Sequence, residues 1–164
     1  VNVIANVADL YIQMHLIDEG IAFMESVVEK SPDIAEAYYW LGRMLINKEE
    51  IEAVDQAIEV YTKASEIDPT IYYIYYDLGY IYYLQGADFF ERSNEEQDEG
   101  IRDQLIKLGK EKYATAIPIL EKAYELNLDN QSVKYETLDL LQRIFYTEEM
   151  TEQYERVKAL KENM

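Results

Sequence analysis

The sequence predicts an all-α fold built from consecutive antiparallel helix pairs. Three observations support this prediction. The 164 residues include only six glycines and three prolines, so few residues interrupt regular structure. Apolar residues recur every three to four positions along nearly the whole chain, which is the spacing of an amphipathic helix and not of a strand. Similar segments also return at a fixed distance, which is typical of a helical repeat.

The repeat is visible in two pairs of segments. Tyr38–Gly42 reads YYWLG and returns as Tyr75–Gly79, which reads YYDLG, at an offset of 37 residues. The turn at Pro32 returns at Pro69 with the same offset. Proline lacks a backbone N–H and disfavours helix in the residue before it, so each proline is expected to end a helix and start a turn. Each unit is therefore predicted to be helix, turn, helix and proline.

This pattern resembles the tetratricopeptide repeat family. The resemblance implies a right-handed α–α superhelix, a tetratricopeptide (TPR) solenoid, with about four antiparallel helix pairs of which the third is elongated. We predict a single array over residues 1–164. Its repeats are expected at about residues 1–34, 35–71 and 72–130, followed by a degenerate capping repeat at 131–164. The register of this last repeat is ambiguous from the sequence.

The third repeat exceeds the family's usual length by about 25 residues, and the added stretch lies near residues 87–112. Its pattern is helical, with Phe89 and Phe90 on the outgoing side and Leu105 on the returning side. We therefore expect both helices of this repeat to be lengthened, by about 18 Å each, into a protruding hairpin. The hairpin is either a second docking surface or an extension whose phenylalanines pack internally.

Two local features refine the hairpin. The segment Ser93–Glu96 is predicted to begin the returning helix, and Pro118 is predicted to kink that helix near Ala114. A long charged insert before the stretch Ala116–Ala123, which reads AIPILEKA, resembles bacterial tetratricopeptide proteins of unassigned role. This resemblance implies no activity.

The composition excludes some classes of partner. The chain carries 33 acidic and 15 basic side chains, a formal net charge of −18, which repels nucleic-acid phosphates and anionic lipids. No run of 18 apolar residues is present, so membrane insertion is not expected. The charge either keeps an exposed solenoid soluble or attracts a basic partner.

The compartment is left open, between cytoplasmic and exported. Cysteine is absent, so the sequence carries no information on the redox compartment. The chain begins at Val1 without an initiator methionine, which is expected of a processed protein or of a fragment with flanking domains.

No catalytic site, metal site or cofactor is predicted. The only histidine, His15, is expected on the surface at the turn between the first two helices. The acidic run Asn94–Gly100 does not fit a calcium loop, because the sixth position is Glu99 where glycine is needed and the twelfth is Leu105 where glutamate is needed. We therefore expect a non-enzymatic protein.

The first helix of each repeat is expected to carry the binding surface, because in the resembled family these helices line the concave face and partners bind there as peptides. In the third repeat, tyrosines spaced by three, four and three residues share one helical face. Exposed tyrosine, tryptophan and arginine side chains often carry binding energy. The predicted peptide-binding groove consists of Tyr39, Trp40, Arg43, Tyr73, Tyr76, Asp77, Tyr80 and Tyr83.

Alternatives to this groove stay open at this point. The tyrosines either form an open groove or pack on neighbouring repeats. The main functional prediction is a scaffold or adaptor that binds a protein or peptide of unknown identity. One alternative is a small-ligand or glycan-binding module in which the aromatic rings stack on a sugar. Another is a structural segment of a larger chain that packs against its own flanking domains.

Overall fold

The computed structural model of the protein describes residues 3–48 and 50–164, without the side chains of residues 51 and 52. Val1, where the first predicted repeat begins, lies outside the described residues. Over these residues the chain folds into eight helices and no strand, which confirms the predicted all-α class. The helices are α1 Val3–Gln13, α2 Ile17–Lys30, α3 Ala35–Asn47, α4 Ile51–Ile67, α5 Tyr72–Glu95, α6 Glu99–Leu126, α7 Gln131–Thr147 and α8 Thr151–Glu162.

Helix boundaries follow the prolines. The residue before Pro32 is Ser31, with φ of −140°, and the residue before Pro69 is Asp68, with φ of −132°. Both are extended and both directly follow the last residue of a helix, as the clash of a proline ring with the preceding residue requires. Helices α3, α5 and α7 begin at the first residues of the second, third and fourth predicted repeats.

The chain divides into two compact units, Val1–Ile74 and Tyr75–Met164, with the boundary inside α5. In the first unit the pair α3–α4 packs closely where Gly42 meets the ring of Tyr61. A Cβ on Gly42 would come within 2.7 Å of that ring, so the absent side chain provides the space that the ring fills. Tyr61 is in turn almost fully buried, together with Met24 and Met44.

The second unit contains the lengthened helix pair. Helix α5 has 24 residues and α6 has 28, so they extend over about 36 Å and 42 Å. The predicted lengthening of both helices is confirmed. The predicted start of the returning helix at Ser93–Glu96 is wrong, because α5 continues to Glu95 and α6 begins at Glu99. The extent of protrusion and the kink near Ala114 stay predictions.

Hydrogen bonds explain where the hairpin turns. The Ser93 hydroxyl donates to the Phe90 carbonyl at 2.7 Å, so this serine is satisfied inside α5 and is not available as a cap. The Asp98 carboxylate instead accepts from the backbone N–H of Ile101 at 3.0 Å, which makes Asp98 the N-cap of α6. A serine and an aspartate are both good cap residues, and the sequence pattern alone did not distinguish them.

The two long helices approach each other closely at two glycines. A Cβ on Gly86 would lie 3.2 Å from the Gly109 carbonyl oxygen, and a Cβ on Gly109 would lie 3.2 Å from the Gly86 carbonyl oxygen. The ring of Tyr113 covers Gly86 and the ring of Phe90 covers Gly109. Phe90 therefore packs internally, as one of the two interpretations of the phenylalanine pair expected, and its partner Phe89 is half-buried beside Arg92.

The core of the second unit lies where α6, α7 and α8 meet. Leu120 of α6, Leu138 and Phe145 of α7 and Val157 of α8 are almost completely buried there. In α6 and α7 these residues lie three, four or seven positions from other buried residues of the same helix, which is the spacing of one helical face. Burial of this face fixes which side of α7 remains exposed.

Two helices end in the same hydrogen-bonded motif. His15 follows α1 with φ of 57°, and Glu149 follows α7 with φ of 56°. After α1, the Leu16 N–H bonds to the Tyr11 carbonyl at 3.0 Å, and after α7 the Met150 N–H bonds to the Phe145 carbonyl at 2.8 Å. These are Schellman ends, which favour glycine at the left-handed position. Each non-glycine residue there is held in strained backbone geometry.

The close approach of α5 and α6 predicts a large effect of one methyl group. We expect Gly86→Ala to lower the free energy of unfolding by about 2 kcal/mol or more, because the buried Tyr113 ring has to move. Chemical denaturation followed by circular dichroism measures the change. Gly100→Ala is the matched control, since a Cβ there meets only a carboxylate oxygen of Asp98 at 3.3 Å. It should be neutral or stabilising by up to about 1 kcal/mol, and equal losses in the two variants would contradict the packing argument.

The Schellman end of α7 predicts a stabilising substitution. Glu149→Gly should raise the free energy of unfolding by about 1 kcal/mol, because glycine adopts the left-handed geometry without strain. A thermal melt would show this as a rise of about 2–4 °C. Glu149→Ala removes the same carboxylate and keeps the strain, so it should show no comparable gain; a similar gain with alanine would point to charge as the cause.

Candidate functional site

Four of the eight predicted groove residues lie in the first unit: Tyr39, Trp40, Arg43 and Tyr73. The placement of Tyr39 differs from the prediction. Tyr39 is only 6% exposed. Its ring lies 4.5 Å from the Tyr73 ring and 5.8 Å from the Tyr61 ring, measured between centroids. Tyr39 is therefore a core residue of its unit, and the prediction that it offers an open ring face is wrong.

The other three predicted residues of the first unit are more accessible. Trp40 is half-buried, and the Arg43 guanidinium lies 5.4 Å from the centre of its ring in a cation–π contact. Tyr73 is also half-buried. Burial, and then the nearby Glu36 carboxylate, raise the pKa of Tyr73 to about 12. This phenol therefore stays neutral at ordinary pH.

The second unit contains a ladder of tyrosine rings along α5. The rings of Tyr76 and Tyr80 are parallel with centroids 6.3 Å apart, and those of Tyr80 and Tyr83 are 6.4 Å apart at 16°. Tyr83 stacks in turn on the buried ring of Tyr113 at 5.8 Å. The spacing of three and four residues along α5 produces this ladder, as the sequence pattern predicted for these three residues. Asp77, the remaining predicted residue, is half-buried beside Tyr76.

These tyrosines form one wall of a cleft of about 570 Å³, and α7 supplies the opposite wall. Tyr80 is 40% exposed on the first wall and Tyr135 is 48% exposed on the second. The cleft is lined by Tyr76, Tyr80, Tyr83, Leu84 and Ala87 of α5 and by Tyr135, Glu136, Asp139, Leu140 and Arg143 of α7.

Sequence reasoning missed the α7 wall because the register of the last repeat was ambiguous. One signal was present: Tyr135 is the fifth residue of α7, as Tyr76 is of α5 and Tyr39 is of α3. An alignment of the three helix starts gives Tyr135 the same position in α7 that Tyr76 has in α5. Glu136 and Asp139 are the sixth and ninth residues of α7. The same positions hold Asp77 and Tyr80 in α5 and Trp40 and Arg43 in α3, so the charges there follow no common pattern.

Charged groups fix the α7 wall. The Arg143 guanidinium donates to the Asp139 carboxylate at 2.7 Å, and Arg143 lines the cleft together with Tyr83. The Lys161 ammonium of α8 donates to Asp139 at 2.7 Å and to Gln142 at 2.9 Å. The hydrogen bond from Lys161, followed by that from Arg143, lowers the pKa of Asp139 below its ordinary value. Asp139 is therefore ionised and doubly paired.

Glu136 has a different environment. Its carboxylate accepts one hydrogen bond from the Tyr76 hydroxyl at 3.0 Å and one from the Ser132 hydroxyl at 3.1 Å. Both donors are neutral, so they orient the carboxylate without cancelling its charge. Burial raises the pKa of Tyr76 above its ordinary value, and the hydrogen bond to Glu136 raises it further.

A second cleft of about 480 Å³ adjoins the same two residues, Tyr83 and Arg143. Gln142, Tyr146, Thr147 and Tyr154 complete its lining. Tyr83 and Arg143 thus separate two open depressions on the same side of α7. The larger one contains the tyrosine ladder, and we treat it as the candidate site.

The described residues also bear on a histidine-based site, a metal site and a membrane-spanning helix. His15 is exposed at the turn after α1, which confirms its predicted placement on the surface. In residues 3–48 and 50–164, no group of three or more histidine, cysteine, aspartate or glutamate side chains is arranged to hold a metal ion. No helix among the residues described is both long and apolar enough to span a bilayer.

Comparison with protein families identifies one stretch of the chain. Residues 52–86 match a family model described as a TPR repeat. This stretch extends from α4 into α5 and ends at Gly86. The predicted tetratricopeptide resemblance is confirmed there. A comparison with curated proteins finds no match.

Solved structures with a similar arrangement include a crystal structure of MamA, with 20% identity, a TM-score of 0.46 and coverage of 93% of this chain and 82% of that one. A MamA RS-1 double mutant has 16% identity, a TM-score of 0.44 and coverage of 98% and 93%. A human IFIT1 dimer with PPP-AAAA has 17% identity, a TM-score of 0.41 and coverage of 93% and 45%. Likeness at this level assigns neither a partner nor an activity.

The buried end of the tyrosine ladder predicts a loss of stability in alkali. Burial, and then the neighbouring Tyr83 and Glu148, raise the pKa of Tyr113 to about 12. A phenol with a raised pKa in the folded state contributes stability below its unfolded value near 10, and this contribution is lost as the pH rises towards 12. The melting temperature should therefore fall between about pH 10 and pH 12.

Tyr113→Phe should reduce this alkaline fall, because phenylalanine keeps the packing and has no proton to lose. Melting temperatures measured in a series of buffers test the expectation. Tyr146→Phe is the control, since Tyr146 is exposed at the end of α7, and it should follow the wild type. An alkaline fall in Tyr113→Phe as steep as in the wild type would show that other groups cause it.

Proposed function

We propose that this protein is a non-enzymatic scaffold or adaptor that binds a segment of another protein. The premise is the tetratricopeptide repeat that residues 52–86 match. Tetratricopeptide repeats bind protein partners in general. In this chain, the proposed binding site of the second unit is the cleft between α5 and α7. The observation that carries the proposal is the row of tyrosine rings that the unit's own packing leaves partly uncovered.

The exposure of the cleft residues supports a binding role. Tyr80, Leu84 and Tyr135 are each at least 40% exposed although they line a concave surface. A partner that covered them would remove a large apolar area from water, and the tyrosine hydroxyls would keep a polar end for orientation. Arg143 and Glu136 lie on the opposite wall and supply hydrogen-bonding groups that can fix the direction of a peptide.

The shape of the cleft favours a peptide over a small ligand. Its α5 wall extends from Tyr76 to Ala87, a distance of about 16 Å along the helix. An extended peptide of about five residues spans the same distance. Several residues of the lining are exposed, so the cleft is an open channel. A small-ligand or glycan site instead encloses most of its ligand. In the first unit, Trp40 and Arg43 are proposed as peptide contacts of that unit by itself.

A separate observation favours a second candidate, packing against a flanking segment of a larger chain. Helix α1 exposes Val3 and Leu10, which lie seven residues apart and so fall near one face, and the exposed Met14 comes directly after the helix. The helix contains one charged residue, Asp9. An apolar stripe of this kind is suited to contact with another helix.

The peptide-binding proposal predicts that Tyr80→Ala weakens binding of a peptide ligand by about 2 kcal/mol while leaving helicity unchanged. Truncation removes a ring that is exposed in the cleft and contributes little to the core. An array of short random-sequence peptides, probed with wild type and variant, supplies ligands whose affinities are then measured by fluorescence polarisation.

Leu128→Ala is the control for this experiment, because Leu128 is a large apolar residue that is 76% exposed and lies in the loop after α6, away from the cleft lining. It should bind the same peptides as the wild type. If Tyr80→Ala binds them equally well, the cleft is not the peptide site.

A further inference from the structure

We propose that the segment bound in the α5–α7 cleft is basic, and that a lysine or arginine side chain of it lies against the Glu136 carboxylate and the ring faces of Tyr76 and Tyr80. This inference rests on the proposed function, since it names the chemistry of the partner for the same cleft. It follows from three features of the cleft: its charge balance, its uncovered rings and the way Glu136 is held.

The charge balance distinguishes the two carboxylates of the α7 wall. Asp139 is paired with Arg143 and with Lys161, so its charge is compensated by the chain itself. Within the described part of the chain, Glu136 forms no ion pair and accepts hydrogen bonds from hydroxyl groups only. Glu136 therefore presents a carboxylate without an ion-pair partner in the described residues. A basic side chain of a binding partner would pair with it.

The tyrosine rings also differ in whether a cation of the chain lies over them. The Lys161 ammonium already lies 4.6 Å from the centre of the Tyr135 ring, and the Lys112 ammonium lies 5.6 Å from that of Tyr82. In the residues that the structure describes, no lysine or arginine of the chain has such a contact with Tyr80 or Tyr76. Tyr80 is 40% exposed and lines the cleft together with Tyr76 and Glu136, and tyrosine faces attract cations through the ring quadrupole.

Glu136 is also oriented before a partner arrives. The Tyr76 hydroxyl holds one carboxylate oxygen and the Ser132 hydroxyl holds the other. A carboxylate has about four lone-pair sites, so sites remain for N–H groups of an incoming guanidinium or ammonium. Because the side chain is already fixed, less conformational entropy is lost on binding. Charge-assisted hydrogen bonds of this kind are stronger than those between neutral groups.

The net charge of the whole chain also favours a basic partner, and this complicates the test. A net charge of −18 attracts basic peptides to any part of the surface. Binding of a basic peptide is therefore not sufficient evidence. The experiment has to separate attraction by the cleft from attraction by the overall field, which requires a variant that removes the same charge elsewhere.

The test uses the full chain and an array of short random-sequence peptides at physiological salt. Peptides that bind the wild type but not Tyr80→Ala define the ligands of the cleft, and we expect them to be enriched in lysine and arginine. For these peptides, Glu136→Gln should raise Kd by about five- to tenfold, because glutamine keeps an acceptor for Tyr76 but loses the charge.

Glu125→Gln is the matched control. Glu125 is an exposed carboxylate on α6, which does not line the cleft, so its loss changes the net charge by the same amount. It should change Kd by less than about twofold, as expected for a distant, screened charge. Circular dichroism melts of both variants show whether they stay folded.

Each outcome bears on a different statement. If no peptide distinguishes the wild type from Tyr80→Ala, the proposed function itself fails and this inference with it. If the Tyr80-dependent peptides are neutral or acidic, or if they bind Glu136→Gln as tightly as the wild type, the basic partner is ruled out while the cleft stands. If Glu125→Gln weakens binding as much as Glu136→Gln, the attraction comes from the overall charge and the inference is overturned.

Discussion

The close approach of α5 and α6 at Gly86 and Gly109 is the constraint on which the second unit depends. Each glycine leaves space for an aromatic ring of the opposite helix, Tyr113 over Gly86 and Phe90 over Gly109. These rings are large, so they bury much apolar area at a point where the backbones are otherwise too close for side chains. These two ring-on-glycine contacts hold the long helices together at this level of the hairpin.

This packing also positions the candidate site. Tyr113 is fixed in the core by its contact with Gly86, and Tyr83 stacks on it. Tyr83 in turn stacks on Tyr80, whose ring is partly exposed in the cleft. Tyr83 also lines the cleft together with Arg143 of the opposite wall. An ordered series of rings thus connects the buried core to the surface, and the exposed rings are held where a peptide can reach them.

The last helix serves the cleft as well as the core. Val157 of α8 is buried in a core that it shares with residues of α6 and α7. Lys161 on the same helix binds Asp139 and lies over the ring of Tyr135. Lys161 therefore pairs with the Asp139 carboxylate and covers a face of the Tyr135 ring. What remains available is Glu136 with the rings of Tyr76 and Tyr80, and this remainder gives the cleft its proposed preference for a basic partner.

The sequence by itself determined the all-α class, the repeat spacing, the lengthened hairpin and the stripe of Tyr76, Tyr80 and Tyr83. These features are encoded locally, because helical periodicity and the effect of proline on its neighbour act over a few residues. Only the tertiary structure decided that Tyr39 is buried and that Glu136 and Tyr135 face the ladder. A side chain is covered or exposed according to what packs on it from distant parts of the chain, and no local pattern contains that information.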